Sequence, residues 1–132
     1  MRRKATLITG AAGEVGQALV ERIAEQNNTH VISMDIKPLP PALDVKVQHI
    51  VGDILDEALF ARLVSEYDIT HIYHLAALLS TRAEYTPMLA HQVNVGGTMQ
   101  LLQLAAEQSE WKREPVIFIF PSSVAAFGMD TL

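Results

Sequence analysis

The sequence predicts an α/β domain built on a doubly wound, parallel, five-stranded sheet with strand order 3-2-1-4-5. Three observations carry this expectation. Short β-rich runs alternate with longer segments of helical period, the pattern of a parallel sheet with crossover helices. The last apolar run, residues 115–120, is continuous and β-branched, as expected of a strand buried on both faces. Right-handed crossovers then favour this strand order.

Each element has its own justification. Residues 5–9 read as a first strand, followed by a helix over 15–26 with Val15, Leu19 and Ile23 on one face. Residues 30–35 form a second strand. Residues 45–51 form a third, with Val45, Val47, His49 and Val51 alternating to one side. A helix over 56–66 runs through Leu59, Phe60, Leu63 and Val64, and a fourth strand covers 71–75. Pro87 suits a helix start, and the helix continues over 88–108 through Leu89, Val93, Leu101 and Leu104. Apolar residues surround much of that helix, including Val95, Met99, Leu102 and Ala105, so it calls for burial on more than one side. The only Pro-rich stretch, Pro38-Leu39-Pro40-Pro41, is a loop.

Composition narrows the function classes. The 132 residues fit one domain, and 49% hydrophobic with 19% charged residues rules out a disordered or low-complexity chain. A domain of this size buries roughly two-thirds of its unfolded surface. There is no cysteine, which excludes disulfides, thiolate metal sites and thiol nucleophiles. A formal charge of −5 argues against generic nucleic-acid binding. The basic start, Met1-Arg2-Arg3-Lys4, precedes an apolar run that ends at Gly10, too short for the about 7–15 apolar residues of a signal peptide. No run approaches the ~18 residues needed to cross a bilayer. The expectation is a soluble, cytoplasmic chain with no membrane partner.

The most informative stretch is Thr9-Gly10-Ala11-Ala12-Gly13-Glu14-Val15-Gly16, which leaves a strand and opens a helix. Gly10 allows the tight turn, Gly13 lets the backbone approach a pyrophosphate, and Gly16 lets helix and strand pack closely. The free N–H groups at the helix start, from Glu14 onward, face an anion. Asp35 ends the second strand nineteen residues after Gly16, where a carboxylate can accept from ribose hydroxyls. A carboxylate there repels a 2′-phosphate, so NAD is expected over NADP, with Lys37 close enough to soften the preference. The plainer alternatives are an ordinary strand–turn–helix connection and an aspartate that only ends a strand. The five histidines suggest no metal: His71 and His74 are three apart on a strand and face opposite ways, and the others lie on separate elements.

The Gly-x-x-Gly-x-x-Gly spacing resembles that of the extended short-chain dehydrogenase/reductase superfamily, specifically its NAD-dependent epimerase/dehydratase family, whose cofactor domain is a Rossmann fold. Gly52-Asp53-Ile54 resembles the family's adenine-contacting stretch, and His74-Leu75-Ala76-Ala77 its turn beside the cofactor. Asn94-Val95-Gly96-Gly97-Thr98 resembles its N-x-x-G-T signature. Pro121-Ser122-Ser123-Val124-Ala125-Ala126-Phe127-Gly128 resembles its catalytic-serine stretch.

The resemblance implies a cofactor site of Gly10, Gly13, Glu14, Val15, Gly16, Asp35, Asp53, Ile54, Leu75, Ala76, Ala77 and Asn94. It implies Ser123 as the catalytic hydroxyl, with Ser122 or a purely structural serine as alternatives. Asn94 would order its helix and the proton path, or serve as a local structural amide. The reaction implied is hydride transfer between nicotinamide and a hydroxyl-bearing carbon. Phe127-Gly128 stands where sugar-nucleotide epimerases usually have Tyr-Gly, and Leu78-Leu79-Ser80-Thr81 looks more like L-threonine and hydroxyacid dehydrogenases. Ser80 would then lie beside a substrate carboxylate, or be a solvated loop serine. A nucleotide-sugar epimerase/dehydratase and a non-catalytic NAD-binding module are the alternatives.

The family's general base lies in a Tyr-x-x-x-Lys motif beyond the serine. Tyr67, Tyr73 and Tyr85 each lack a lysine four residues later. The expectation is therefore that residues 1–132 are the N-terminal, NAD-binding portion of a longer enzyme, without its C-terminal substrate lobe and inactive alone. A homodimer through helix 88–108 is also implied.

Overall fold

A computed structural model of the chain describes residues 1–26 and 29–128. It runs β1 (Arg3–Thr9), α1 (Glu14–Glu25), β2 (His30–Asp35), α2 (Pro41–Asp44), β3 (Gln48–Val51), α3 (Glu57–Glu66) and β4 (Tyr67–His74). There follow α4 (Ser80–Tyr85), α5 (Pro87–His91), a π turn (Gln92–Gly96), α6 (Gly97–Lys112), β5 (Ile117–Ile119) and a 3-10 turn (Val124–Phe127). The strands form one parallel sheet in the order β3-β2-β1-β4-β5, as expected. The expected domain extends to residue 132, and its last four residues lie outside those described.

Two apolar layers sandwich the sheet, because alternate strand side chains point to opposite faces. Ala5 and Leu7 of β1, with Ile32, Met34, Ile69 and Ile72, pack on one face beneath Leu59, Phe60 and Leu63 of α3 and Leu101, Leu104 and Ala105 of α6. Ile8 and Val31 pack on the other face with Val20 of α1 and Leu43 of α2. Helix α3 begins where Asp56 accepts the Leu59 N–H at 3.0 Å, a side-chain N-cap.

One irregularity decides which way the β4 side chains point. The register steps from Ala5 opposite Ile69 to Thr6 opposite His71, so Thr70 is an extra, bulged residue. The bulge lets Ile69 and Ile72, three apart, share the α3/α6 face, and it carries His74 onto that face too. Ile69 beside the bulge is satisfied by side chains: Gln108 accepts its N–H at 3.1 Å and Lys112 donates to its carbonyl at 2.8 Å. Lys112 also pairs with Asp68 at 3.0 Å.

Several expected boundaries shift. The third strand covers only Gln48–Val51, because Pro41 starts a helical turn that consumes the residues before it; Val45 is exposed, and Val51 points outward. The fourth strand starts at Tyr67, four residues early, directly from α3. On α1 the buried line runs through Gly16 and Val20, and Val15 is exposed at the first turn. The long helix is interrupted by the π turn. The fifth strand is not buried on both faces: Ile117 and Ile119 are 46% and 40% exposed, because among the described residues β5 is an edge strand paired with β4 alone. Among the described residues no helix is long and apolar enough to cross a membrane.

Candidate functional site

Parallel pairing aligns the carboxyl ends of the strands. Thr9 stands opposite both Met34 and His74, and Asp35 stands opposite Val51. The loops after β1, β2, β3 and β4 therefore open on one edge, where ligands of doubly wound sheets bind. Gly10, Asp35, Asp53 and Leu75 all lie there.

The glycine turn fits this edge with no space to spare. Gly10 has φ +68°, in the left-handed region, and a Cβ there would lie 2.6 Å from the Ala76 nitrogen and from the Leu75 carbonyl carbon. A Cβ on Gly16 would meet the Gly10 carbonyl oxygen and lie 2.8 Å from Ala11 Cα. Gly13 is the N-cap of α1 and has no side chain to offer its first turn, so the N–H groups of Glu14 and Val15 lack intrahelical partners. Both residues are exposed.

Asp35 ties this turn to β2. Its Oδ2 accepts the Ala12 N–H at 3.0 Å, and its Oδ1 accepts the Lys37 N–H at 3.0 Å. A carboxylate offers about four acceptor sites, so these two bonds orient it and leave room for further donors. Asp53 is exposed, and its Oδ1 accepts the Leu55 N–H at 2.9 Å. Ile54 is buried: its side chain belongs to the core, and a Cβ on Gly97 would lie 2.9 Å from its Cγ1.

The segment after β4 packs directly against the glycine turn at the same edge. Leu75 donates its N–H to the Thr9 carbonyl at 3.1 Å, and Ala76 and exposed Ala77 follow. Asn94, inside the π turn, holds Leu78 at both polar groups: its Oδ1 accepts the Leu78 N–H at 2.7 Å, and its Nδ2 donates to the Leu78 carbonyl at 3.0 Å. Through these two bonds Asn94 fixes the loop at Leu78.

His74 is fully buried next to this segment, with one ring nitrogen 2.7 Å from the Thr9 hydroxyl and the other 2.9 Å from the Thr98 hydroxyl. Burial pushes its pKa down to about 4, so the ring is neutral at pH 7. The motif His74-Leu75-Ala76-Ala77 places this histidine at a turn beside the cofactor but does not predict its burial or its two threonine partners. The signal available was a histidine flanked in space by two threonines, which depends on the bulge at Thr70.

Ser80 opens α4 and is exposed. Ser122 and Ser123 are exposed beyond the carboxyl end of β5, and the Ser123 carbonyl accepts the Ala126 N–H at 3.0 Å. The tyrosines fall elsewhere: Tyr67 donates to Gln48 at 2.8 Å near the start of β4, and Tyr85 is exposed on α4.

The chain that carries this glycine turn matches known proteins. A model of the NAD-dependent epimerase/dehydratase family matches residues 6–132. The chain belongs to this family. An uncharacterized epimerase/dehydratase of Staphylococcus aureus is 36% identical over 97% of this chain, but the match spans only 39% of that protein. The chain thus covers about two-fifths of the length of the curated relatives it matches. L-threonine dehydrogenase of Clostridium difficile has a TM-score of 0.78 at 31% identity, covering all of this chain and 43% of the other. UDP-glucose 4-epimerase of Thermotoga maritima has a TM-score of 0.80 at 24% identity, over 97% of this chain and 41% of its own, and shares the fold.

Proposed function

We propose that this epimerase/dehydratase-family chain binds NAD along the carboxyl edge of its sheet and is the cofactor-binding portion of a dehydrogenase. The substrate is a small polar molecule with a hydroxyl-bearing carbon, of the threonine or hydroxyacid class. The observation that carries the cofactor assignment is the Gly10 turn, packed so closely on Leu75 and Ala76 that no Cβ fits, with the Asp35 carboxylate anchored beside it. The substrate class is supported by the L-threonine dehydrogenase likeness and by Phe127.

When bound, NAD supplies the hydride acceptor or donor for the reaction. The chain's own residues bind and orient. Asp35 accepts from the ribose hydroxyls with its unused lone pairs and disfavours a 2′-phosphate by charge. The Glu14 and Val15 N–H groups, at the positive end of α1, take the pyrophosphate. Asp53 and the Ile54 backbone border the adenine, while Leu75, Ala76 and Ala77 wall the cleft, with Asn94 fixing the wall at Leu78. Ser123 donates a hydrogen bond to the substrate oxygen, and Ser80 binds the substrate carboxylate. Proton abstraction belongs to a group outside these residues, so the chain alone does not turn over. Self-association uses the exposed apolar residues Met88, Leu89, Val95, Met99 and Leu102. The assembled protein works in the cytoplasm.

Calorimetric titration tests the cofactor reading. The expected outcome is saturable NAD binding, tighter than NADP binding, and weakened about tenfold or more by Asp35→Ala, since hydrogen bonds to a charged group are being lost. Equal or tighter NADP binding, or no binding by folded chain, would overturn it. The longer enzyme, assayed by NADH fluorescence with a substrate panel, should release NADH with threonine or a hydroxyacid. Epimerisation of a nucleotide sugar without net NADH would instead assign the epimerase activity.

A further inference from the structure

The hydrogen bonds around His74 have a direction that can be deduced. The Thr98 hydroxyl lies 2.6 Å from the Asn94 carbonyl oxygen, which can only accept, so Thr98 donates there. Toward His74 Nε2, at 2.9 Å, Thr98 is left to accept, and Nε2 must carry the hydrogen. In the neutral ring Nδ1 is then an acceptor, and it receives the Thr9 hydroxyl at 2.7 Å. The Thr9 oxygen in turn faces the Ala76 N–H at 3.4 Å. A protonated ring would break the chain: Nδ1–H would point at a Thr9 oxygen already facing a donor, and the Thr9 hydrogen would lose its acceptor. The rings of Phe118 and Phe120, with centroids 6.2 and 5.7 Å away, cover the imidazole.

The two arms of this chain reach opposite ends of one short segment. Thr9 holds Leu75 by its carbonyl and faces Ala76 with its hydroxyl. Thr98 holds the Asn94 carbonyl, and Asn94 grips Leu78 by two bonds. His74 bonds both Thr9 and Thr98 and so ties the two posts together.

We propose that His74, fixed as the neutral Nε2–H tautomer, is a positioning residue that sets residues 75–78 from both ends and so holds the NAD cleft to its width. This rests on the reading that residues 75–77 wall that cleft.

Nitrogen-15 spectroscopy of the imidazole in the unmodified protein at pH 7 reads the tautomer directly. The expected signature is a protonated Nε2 with an unprotonated Nδ1; an Nδ1–H tautomer or an imidazolium would overturn the proposal. His74→Phe keeps a ring but removes both bonds. It should weaken NAD binding about tenfold, as for loss of two net hydrogen bonds, and speed amide exchange at Ala76 and Leu78. His74→Gln restores the donor toward Thr98 and should recover part of both. Thr98→Ser should keep affinity where Thr98→Val loses it. A folded His74→Phe protein that binds NAD as tightly as the unmodified one would sink the idea. If the unmodified protein binds no NAD, the cofactor reading falls and takes this role with it, whatever the tautomer; a wrong tautomer with intact NAD binding refutes His74 alone.

Discussion

Strand β5 is wholly apolar and strand β1 carries Arg3, Lys4 and two threonines, yet β1 is the more deeply buried of the two. In β1, Ala5, Leu7 and Ile8 are fully buried, whereas in β5 Ile117 and Ile119 keep nearly half their surface in water. The first has strands on both sides and helices on both faces; the second has β4 on one side and α6 over one face. Composition says that a segment is a strand, and neighbours say how much of it is buried. The same contrast separates the carboxyl edge, where the buried side chains of Thr9 and His74 are hydrogen-bonded, from the open surface around β5 and the long helix.

The contrast breaks most easily at the centre. Ile72→Ala, at a fully buried position beneath α6, should cost about 4 kcal/mol, the range of large-to-small changes in a packed core. Urea unfolding followed by circular dichroism measures it. A cost below about 1 kcal/mol would mean that this layer collapses around the cavity and that the centre is no more tightly packed than the edge.

Acid should also act on the centre first. The His74 pKa is lowered in the folded chain from an ordinary 6.5 to about 4, by burial. Its nearest partners, Thr9, Thr98, Phe118 and Phe120, carry no charge. Because the folded value is the lower one, the unfolded chain takes up the proton first. This contribution is therefore constant above about pH 6.5 and is lost as pH falls toward 4, amounting to roughly 3 kcal/mol at full extent. Unfolding free energies measured from pH 7 to pH 4 should show this fall, and His74→Phe should flatten it. An unchanged slope in the variant would place the acid sensitivity elsewhere.

Between the two regions sits the Asn94 clamp. Asn94→Ala removes both bonds to Leu78 and leaves its half-buried backbone groups without partners, a cost of about 2 kcal/mol. Amide exchange at Leu78 should rise with it. Unaltered exchange would show that the wall is held from the Thr9 end alone.

What could be read from the sequence divides along the same line. The glycine turn and Asp35 follow from local chemistry, a strand–turn–helix spacing with a left-handed glycine and a carboxylate at a strand end, and the sheet order follows from the alternation of strands and helices along the chain. The bulge at Thr70 and the π turn at Asn94 do not. A one-residue bulge turns the spacing of Ile69 and Ile72 into a shared face, which a strict alternation assigns to opposite faces. The π turn hides inside a helix because Leu89, Val93, Leu101 and Leu104 keep a helical look on either side of it, and the Asn94 bonds that accompany it run to a loop sixteen residues away. His74 acquires its role from both irregularities, so its motif alone pointed to a turn beside a cofactor and not to a buried tautomer. For β5 the reason is the opposite: nothing in a continuous apolar run distinguishes a central strand from an edge strand whose side chains face water, so β5 is less buried than its sequence predicts.

The smallest expected effect tests that last distinction. Ile119 retains 40% of its surface, so truncation to alanine surrenders only part of a buried side chain's transfer energy and opens no enclosed cavity, which gives about 1 kcal/mol. Measured at micromolar concentration beside Ile72→Ala, it should be several-fold the smaller. The ratio carries information that neither value has alone. If the edge is covered in solution by a second copy of the chain, Ile119→Ala approaches the cost at Ile72, and both the apparent stability and the effect of the substitution rise with protein concentration, because association adds its free energy to folding. If the edge stays open, the cost is independent of concentration. A large, concentration-dependent loss would therefore remove β5 from the exposed region and make the two strands alike in environment despite their different composition.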